Sequence, residues 1–249
     1  MMLRYELKKY CSQLKFNAGQ AEIDYLQHLF LFFLSQHSAQ HLIFKGGTAL
    51  QKCYALPRFS IDLDFTSKNK NSSLELIRAI CKEIEQFGYP TTFEEVKTLG
   101  ETFVLKISGP LRGVSFMSIA RLQIEISQRE SLLIEPMRVK ISPIYHDLKS
   151  YSILAMAPEE ILSEKIRAIM TRNKPRDVFD LYFLLSKGIS LHLNFINSKL
   201  AYYQEVFNRK KFIEKVKEKK AVWQQELQEY CSVVPEFEKV LALIEEKIP

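Results

Sequence analysis

The chain has 249 residues, is 47% hydrophobic and 26% charged, and contains only eight glycines and nine prolines. Those proportions describe a folded globular protein and exclude a disordered tail, a collagen-like repeat and a disulfide-stapled miniprotein. The formal net charge of +6 permits a polyanionic partner without requiring one. In chain order, residues 3–16 and 20–36 are predicted helices, the second apolar nearly all round and therefore central. Its greasiest stretch, Tyr25–Leu34, is about half the length needed to span a bilayer. The N-terminus is amphipathic, without the apolar run and small-residue cleavage site of a signal peptide. The expectation is a soluble, cytoplasmic protein with no membrane partner. Residues 41–44 (HLIF) form a short apolar run ended by Gly46-Gly47, and Thr48–Tyr54 is predicted helical.

Ser60–Ser67 alternates Ile61, Leu63 and Phe65 with Asp62, Asp64 and Thr66, the period of a strand. Leu74–Phe87 is an amphipathic helix, and Thr91–Val96, Thr102–Ser108 and Ser115–Ser127 are strand-like, the last two joined through Gly109–Gly113 as a hairpin. After about residue 150 the pattern turns helical. Pro158-Glu159-Glu160 opens one helix, Asn173-Lys174-Pro175 ends it, and a second runs from Arg176 to Leu185. From Ser198 onward the chain reads as continuous helix. This gives an α+β protein with two expected parts, a mixed sheet with helices over residues 1–150 and a helical part over 151–249.

Chemistry concentrates in Lys45-Gly46-Gly47-Thr48-Ala49-Leu50, followed after a spacer by Arg58-Phe59-Ser60-Ile61-Asp62-Leu63-Asp64-Phe65. Two carboxylates at i and i+2 on a strand share a face and repel each other unless a cation lies between them, and a hard divalent ion suits them. A Gly-Gly-Thr turn opening a helix offers N–H groups and a hydroxyl to a phosphate. Later, Lys165 and Arg172 fall on one helical face, and Asp177 and Asp180 share a face near a helix start.

The Gly-Gly, spacer, Asp-x-Asp pattern resembles the first motif of polymerase-β-type nucleotidyltransferases. KGGTAL followed by RFSIDLDF is similar to the AbiEii toxin family of abortive-infection toxin–antitoxin systems. EEILSEKIRA (159–168) and PRDVFDLY (175–182) resemble that family's later lysine and aspartate motifs, so the matched blocks span about residues 43–185. The resemblance implies a polymerase-β-type core completed by a helical C-terminal half. It implies a nucleotidyltransferase using a nucleoside triphosphate (NTP) and Mg2+, with Asp62, Asp64, Lys165 and Asp177 as catalytic residues. Asp62, Asp64 and, as a third carboxylate, Glu125 are the expected metal ligands. Lys45, Gly46, Gly47, Thr48, Arg58, Ser60, Arg172 and Asp180 are the expected NTP-binding residues. An RNA acceptor, in particular tRNA, and a cognate antitoxin encoded nearby are the implied partners. Two other functions stay open, nucleotidyl transfer to a protein or small molecule and a non-catalytic nucleotide-binding module.

Plainer readings stand beside these. Asp62 and Asp64 would also suit the solvated face of an edge strand, Lys165 a surface helix, and Glu125 an ordinary strand. Asp177 suits a helix first turn, and Asp180 an i, i+4 pair with Arg176. The run Arg209–Lys220 holds seven cations against Glu214 and Glu218, a solvated face or else a dock for RNA or an acidic antitoxin. Tyr202, Tyr203, Phe207 and Phe212 have the spacing of core residues. The four cysteines form no paired motif and the five histidines show no zinc spacing, so reduced thiols and no zinc site are expected.

Overall fold

The computed structural model describes residues 1–38, 41–68, 73–97, 100–113, 119–129 and 131–249. The chain divides into two compact units. The first comprises Met1–Cys53, Phe59–Gln128 and Met137–Ala155; the second comprises Tyr54–Arg58, Arg129–Pro136 and Met156–Pro249. Two short segments of the first 150 residues therefore belong with the C-terminal helices.

The first unit is an α+β body around a seven-stranded sheet of order β3-β4-β5-β2-β1-β7-β6. Its elements are α1 (Arg4–Leu14), α2 (Ala18–Gln36), β1 (Leu42–Lys45), α3 (Gly46–Tyr54), β2 (Leu63–Ser67), α4 (Leu74–Gln86), β3 (Thr91–Lys97), β4 (Glu101–Ile107), β5 (Ala120–Ser127), β6 (Met137–Ile141) and β7 (Tyr151–Ala155). The sheet is mixed: β2 runs parallel to β5 and β1 parallel to β7, while the remaining neighbours are antiparallel. Asn17 and Gln20 start α2 by a reciprocal capping box, with Gln20 N–H to Asn17 Oδ1 at 2.9 Å and Asn17 N–H to Gln20 Oε1 at 3.0 Å. Leu26, Leu29, Phe30 and Leu31 of α2 are almost wholly buried, as expected of a central helix.

Three departures from the sequence reading have physical causes. The strand predicted over Ser60–Ser67 begins only at Leu63, because side chains rather than a neighbouring strand hold the backbone of residues 60–62. The last predicted strand of the hairpin begins at Ala120 among the described residues, and its positions 115–118 lie outside them. β6 and β7 went unassigned. β6 is a short edge strand whose Arg138 and Lys140 are exposed, which hides the alternation of a half-buried strand.

The second unit is helical: α5 (Pro158–Thr171), α6 (Pro175–Ser186), α7 (Leu193–Ala201), α8 (Arg209–Lys217), α9 (Trp223–Leu227) and α10 (Phe237–Lys247). Pro158 and Pro175 each open a helix where a missing N–H costs nothing. The continuous helix expected from Ser198 is interrupted three times, before α8, between α8 and α9, and before α10. Gln204 adopts φ +56° and Asn208 caps a new helix by accepting Lys211 N–H at 2.9 Å. Val233-Val234-Pro235 then biases the chain to extended backbone before α10. No helix among the described residues is long and apolar enough to cross a membrane.

Candidate active site

In the first unit, β1 runs directly into α3, because the helix begins at Gly46, the residue after Lys45. The first N–H groups of a helix have no intrahelical acceptor and, with the helix dipole, favour an anion. Gly46 sits at φ +73°, and a Cβ added there would lie 3.0 Å from both Cβ and Cγ of Asp64 and closer still to its Oδ2. Only glycine permits that backbone conformation and lets the Asp64 carboxylate lie against the start of α3. Asp64 pairs with Lys45 across the antiparallel β1–β2 ladder and with Glu125 across the parallel β2–β5 ladder. Lys45, Asp64 and Glu125 therefore project from one face of the sheet. Lys45 is buried, Asp64 half-buried, and Glu125 exposed, with its Oε1 accepting from Gln123 Nε2 at 2.6 Å.

Asp62 lies just before β2. The Thr48 hydroxyl donates to the Asp62 carbonyl, and Thr48 is fully buried. Thr48 thus ties α3 to the backbone of Asp62; the expectation that its hydroxyl faces a phosphate is replaced by this internal bond. Ser60, expected near a phosphate, is buried and donates its backbone N–H to Gln51 Oε1 at 3.0 Å. The Gln27 amide donates to the Ser60 and Ile61 carbonyls at 2.8 and 2.6 Å.

Behind this segment lies a buried polar cluster that the sequence reading missed. Asp24 accepts from Gln51 Nε2 at 3.0 Å, Lys52 Nζ at 2.8 Å and Tyr145 OH at 2.8 Å. Burial by itself raises the Asp24 carboxyl, yet Lys52 and His28, with the bonds from Lys52 and Tyr145, leave it below the usual aspartate value. Burial, reinforced by Lys52, pushes the His28 imidazole down to about 3 against the pull of Asp24. The sequence carries one signal for the cluster: Asp24, Gln27 and His28 interrupt an otherwise apolar helix at i, i+3 and i+4.

The chemistry of the donor set fits a hard divalent cation. Asp62 and Asp64 offer carboxylate oxygens, and Mg2+ is commonly held by one or two carboxylates, with substrate phosphates and water completing its octahedron. Among the described residues no group of three or more His, Cys, Asp or Glu side chains is arranged to hold a metal by itself. A protein-only three-ligand site built with Glu125 is therefore not preassembled.

The second unit assembles its own charged network from four of the motif positions and Arg58. Lys165 Nζ bonds Asp177 Oδ1 at 2.9 Å and Asp180 Oδ2 at 2.7 Å. Arg172 reaches Asp177 through Nε at 2.8 Å and Nη2 at 2.9 Å. Arg58 grips Asp180 in a bidentate pair, Nε to Oδ1 at 2.6 Å and Nη2 to Oδ2 at 2.7 Å. Lys165, Arg58, Asp177 and Asp180 are all buried. Burial alone raises both aspartates, but Lys165 and Arg172 bring Asp177 well below the usual range, and Arg58 and Lys165 bring Asp180 below it.

Two details differ from expectation. Arg172 is not on the helical face of Lys165; it follows the end of α5 in extended backbone and meets Lys165 at the shared Asp177. Asp180 does not pair with Arg176, whose guanidinium lies over the Tyr230 ring at 6.0 Å, but with Arg58 and Lys165.

The basic run Arg209–Lys220 is largely neutralised within its own unit. Arg209 donates to the Ile248 and Glu245 carbonyls, while Lys211, Lys215, Lys217 and Lys220 pair with Glu205, Glu218, Glu245 and Glu238. Lys219 is buried and lies 3.6 Å from Glu218. Of the aromatics expected in the core, Phe212 is fully buried, but Tyr202 is 52% exposed.

With the geometry in place, comparison with known proteins is informative. A family described as "Nucleotidyl transferase AbiEii toxin, Type IV TA system" matches residues 29–243. The structure resembles MenT4, a nucleotidyltransferase toxin from Mycobacterium tuberculosis, with TM-score 0.72 at 17% identity, covering 99% of this chain and 88% of that one. It also resembles JHP933 from Helicobacter pylori, with TM-score 0.60 at 18% identity over 90% of this chain and 88% of the other. At these identities the likeness establishes the fold. Among curated proteins no sequence match is found.

Proposed function

The chain belongs to the AbiEii family of nucleotidyltransferase toxins of type IV toxin–antitoxin systems, and on that premise we propose that it transfers a nucleoside monophosphate from an NTP to the 3′ end of tRNA, with Mg2+, and so blocks translation. The observation that carries the reading is the contact of Asp64 with the start of α3, which puts an Asp-x-Asp carboxylate against a helix N-terminus at a position only glycine can occupy. In this reading Asp62 and Asp64 hold the metal, and Glu125, beside Asp64, is an added carboxylate. Bound there, Mg2+ supplies charge for the phosphates and lowers the cost of ionising the acceptor hydroxyl.

The chain's own groups do the rest. The N–H groups at Gly46 and Gly47 orient phosphate oxygens, with Lys45 adding positive charge on the same sheet face as Asp64. The acceptor 3′ oxygen attacks the α-phosphorus, a new P–O bond forms, and the bond to the oxygen bridging the α- and β-phosphorus breaks. Pyrophosphate leaves and the hydroxyl proton passes to water or a carboxylate. The family resemblance assigns Lys165 the role of countering phosphate charge, and within the second unit it shares Asp177 with the half-exposed Arg172. Asp177 and Asp180 fix the Lys165 ammonium within the second unit. A cognate antitoxin, encoded nearby, restrains the activity.

The test is incubation with each α-labelled NTP, Mg2+ and total tRNA. Label on tRNA that disappears with Asp64→Ala is the expected outcome. Label on protein instead, or none on RNA with any of the four nucleotides, overturns the tRNA assignment.

A further inference from the structure

Asp62 and Asp64 are held in place by different means. Asp64 sits inside the sheet, its backbone flanked by β1 on one side and β5 on the other. Asp62 precedes the first residue of β2 and lies outside both ladders. Backbone groups away from water require partners, and here side chains provide them. Gln27, from α2, donates both amide hydrogens, to the Ser60 carbonyl at 2.8 Å and the Ile61 carbonyl at 2.6 Å. Gln51, from α3, accepts the Ser60 N–H at 3.0 Å, and Thr48 donates to the Asp62 carbonyl. Gln51 is itself fixed, because its amide donates to Asp24 at 3.0 Å, and Asp24 is neutralised by the buried Lys52 at 2.8 Å.

We propose that Gln27 and Gln51 are positioning residues for the Asp62 carboxylate, doing for it what the sheet ladders do for Asp64. The proposal rests on the reading of Asp62 and Asp64 as metal ligands. Gln27 is fully buried and acts through the backbone it grips. Outer-shell partners of metal ligands change metal affinity by roughly 10- to 100-fold when removed. Among the described residues the backbone of residues 60–62 belongs to no strand, so no ladder fixes its course once the amides are gone.

The experiment titrates Mn2+ against the protein without nucleotide, reading free Mn2+ by electron paramagnetic resonance, with folding checked by circular dichroism and thermal melts. Gln27→Leu and Gln51→Leu are each expected to weaken Mn2+ binding by roughly 10- to 100-fold, and kcat for nucleotidyl transfer to fall with it. Gln51 is only half-buried, so its variant carries the test if Gln27→Leu fails to fold. In an Asp62→Ala background the glutamine substitutions add no further loss of Mn2+ affinity, because they act through that carboxylate. Ile80→Val, in the core of α4, lowers the melting temperature without changing Mn2+ binding. If the glutamine variants melt lower but bind Mn2+ like the wild type while Asp64→Asn does not, the amides are merely structural and the proposal fails alone. If Asp62→Ala and Asp64→Asn also bind like the wild type, the metal-ligand reading falls and takes the proposal with it.

Discussion

Single residues decide the site through backbone freedom and buried charge. Gly46 combines φ +73° with direct contact to Asp64. Gly46→Ala is expected to cost about 1–2 kcal/mol for the left-handed backbone alone. Its new methyl also displaces the Asp64 carboxylate, so NMP transfer by the folded variant falls to background. Wild-type transfer rates in that variant would show that the contact is dispensable. In the second unit, Asp177 is buried between Lys165 and Arg172. Asp177→Ala leaves a buried ammonium with one carboxylate fewer, and a loss of about 3–5 kcal/mol in denaturant melts is expected. Arg172 is 49% exposed, and Arg172→Ala is expected to cost only about 0–1 kcal/mol because water screens and replaces the pair. Equal losses for the two variants would mean that the network is not organised around Asp177. The motif spacing made these residues visible as charges, but it left their partners open. Arg58 and Asp180 are 122 positions apart, beyond the reach of any helical or strand period.

At the scale of elements, α2 shows how a buried helix makes stability depend on pH. His28 is held neutral at a pKa of about 3 against an ordinary 6.5. Between those values the unfolded chain binds one more proton than the folded one, so stability rises with pH, by up to about 1.4 kcal/mol per unit. The folded Asp24, Asp177 and Asp180 carboxyls lie below their usual 3.8, so their contribution is complete above that value and is lost on further acidification. Glu22, raised by burial above 4.5, acts in the opposite sense just above that pH. The melting temperature is therefore expected to begin falling below about pH 6.5, and His28→Gln should remove most of the slope between pH 6.5 and 5. Parallel curves for the two proteins would assign that slope to another group. A second buried device is Glu160, which reads in sequence as a first-turn acid. It accepts the Leu133 and Ile134 N–H groups at 3.1 Å and Lys199 Nζ at 2.6 Å, tying the segment before β6 to α5 and α7.

For the molecule as a whole, net charge and thiols acquire definite meanings. The surplus of +6 is not a displayed patch on α8, since six of the seven cations at 209–220 have partners within the second unit. If Lys215, Lys217 and Lys220 each docked an RNA phosphate, neutralising all three would flatten the salt dependence of tRNA binding by about two in log–log slope. A change well under one is expected in filter-binding or anisotropy titrations. The described cysteines are all free. Burial pushes the Cys53 and Cys81 thiols up to about 12 and Cys231 to about 11, so at neutral pH these three are expected to resist alkylation until the protein is denatured.

Sequence by itself determined whatever depends on neighbours a few residues apart. The apolar period of α2, the prolines that open α5 and α6, the Gly-Gly lead into a helix and the strand that carries Asp64 were all legible. Resemblance in the blocks around KGGTAL, RFSIDLDF and PRDVFDLY then carried the family. Tertiary structure decided the rest, because burial and long-range pairing assign roles that local spacing does not encode. Thr48 turns its hydroxyl to the Asp62 backbone, Arg58 is held by Asp180, and Lys211, Lys217 and Lys220 of the basic run pair with glutamates outside it. Gln27 and Gln51 looked like isolated polar residues in helices. Only the fold brings them to the segment before Asp62, where backbone groups without strand partners need them.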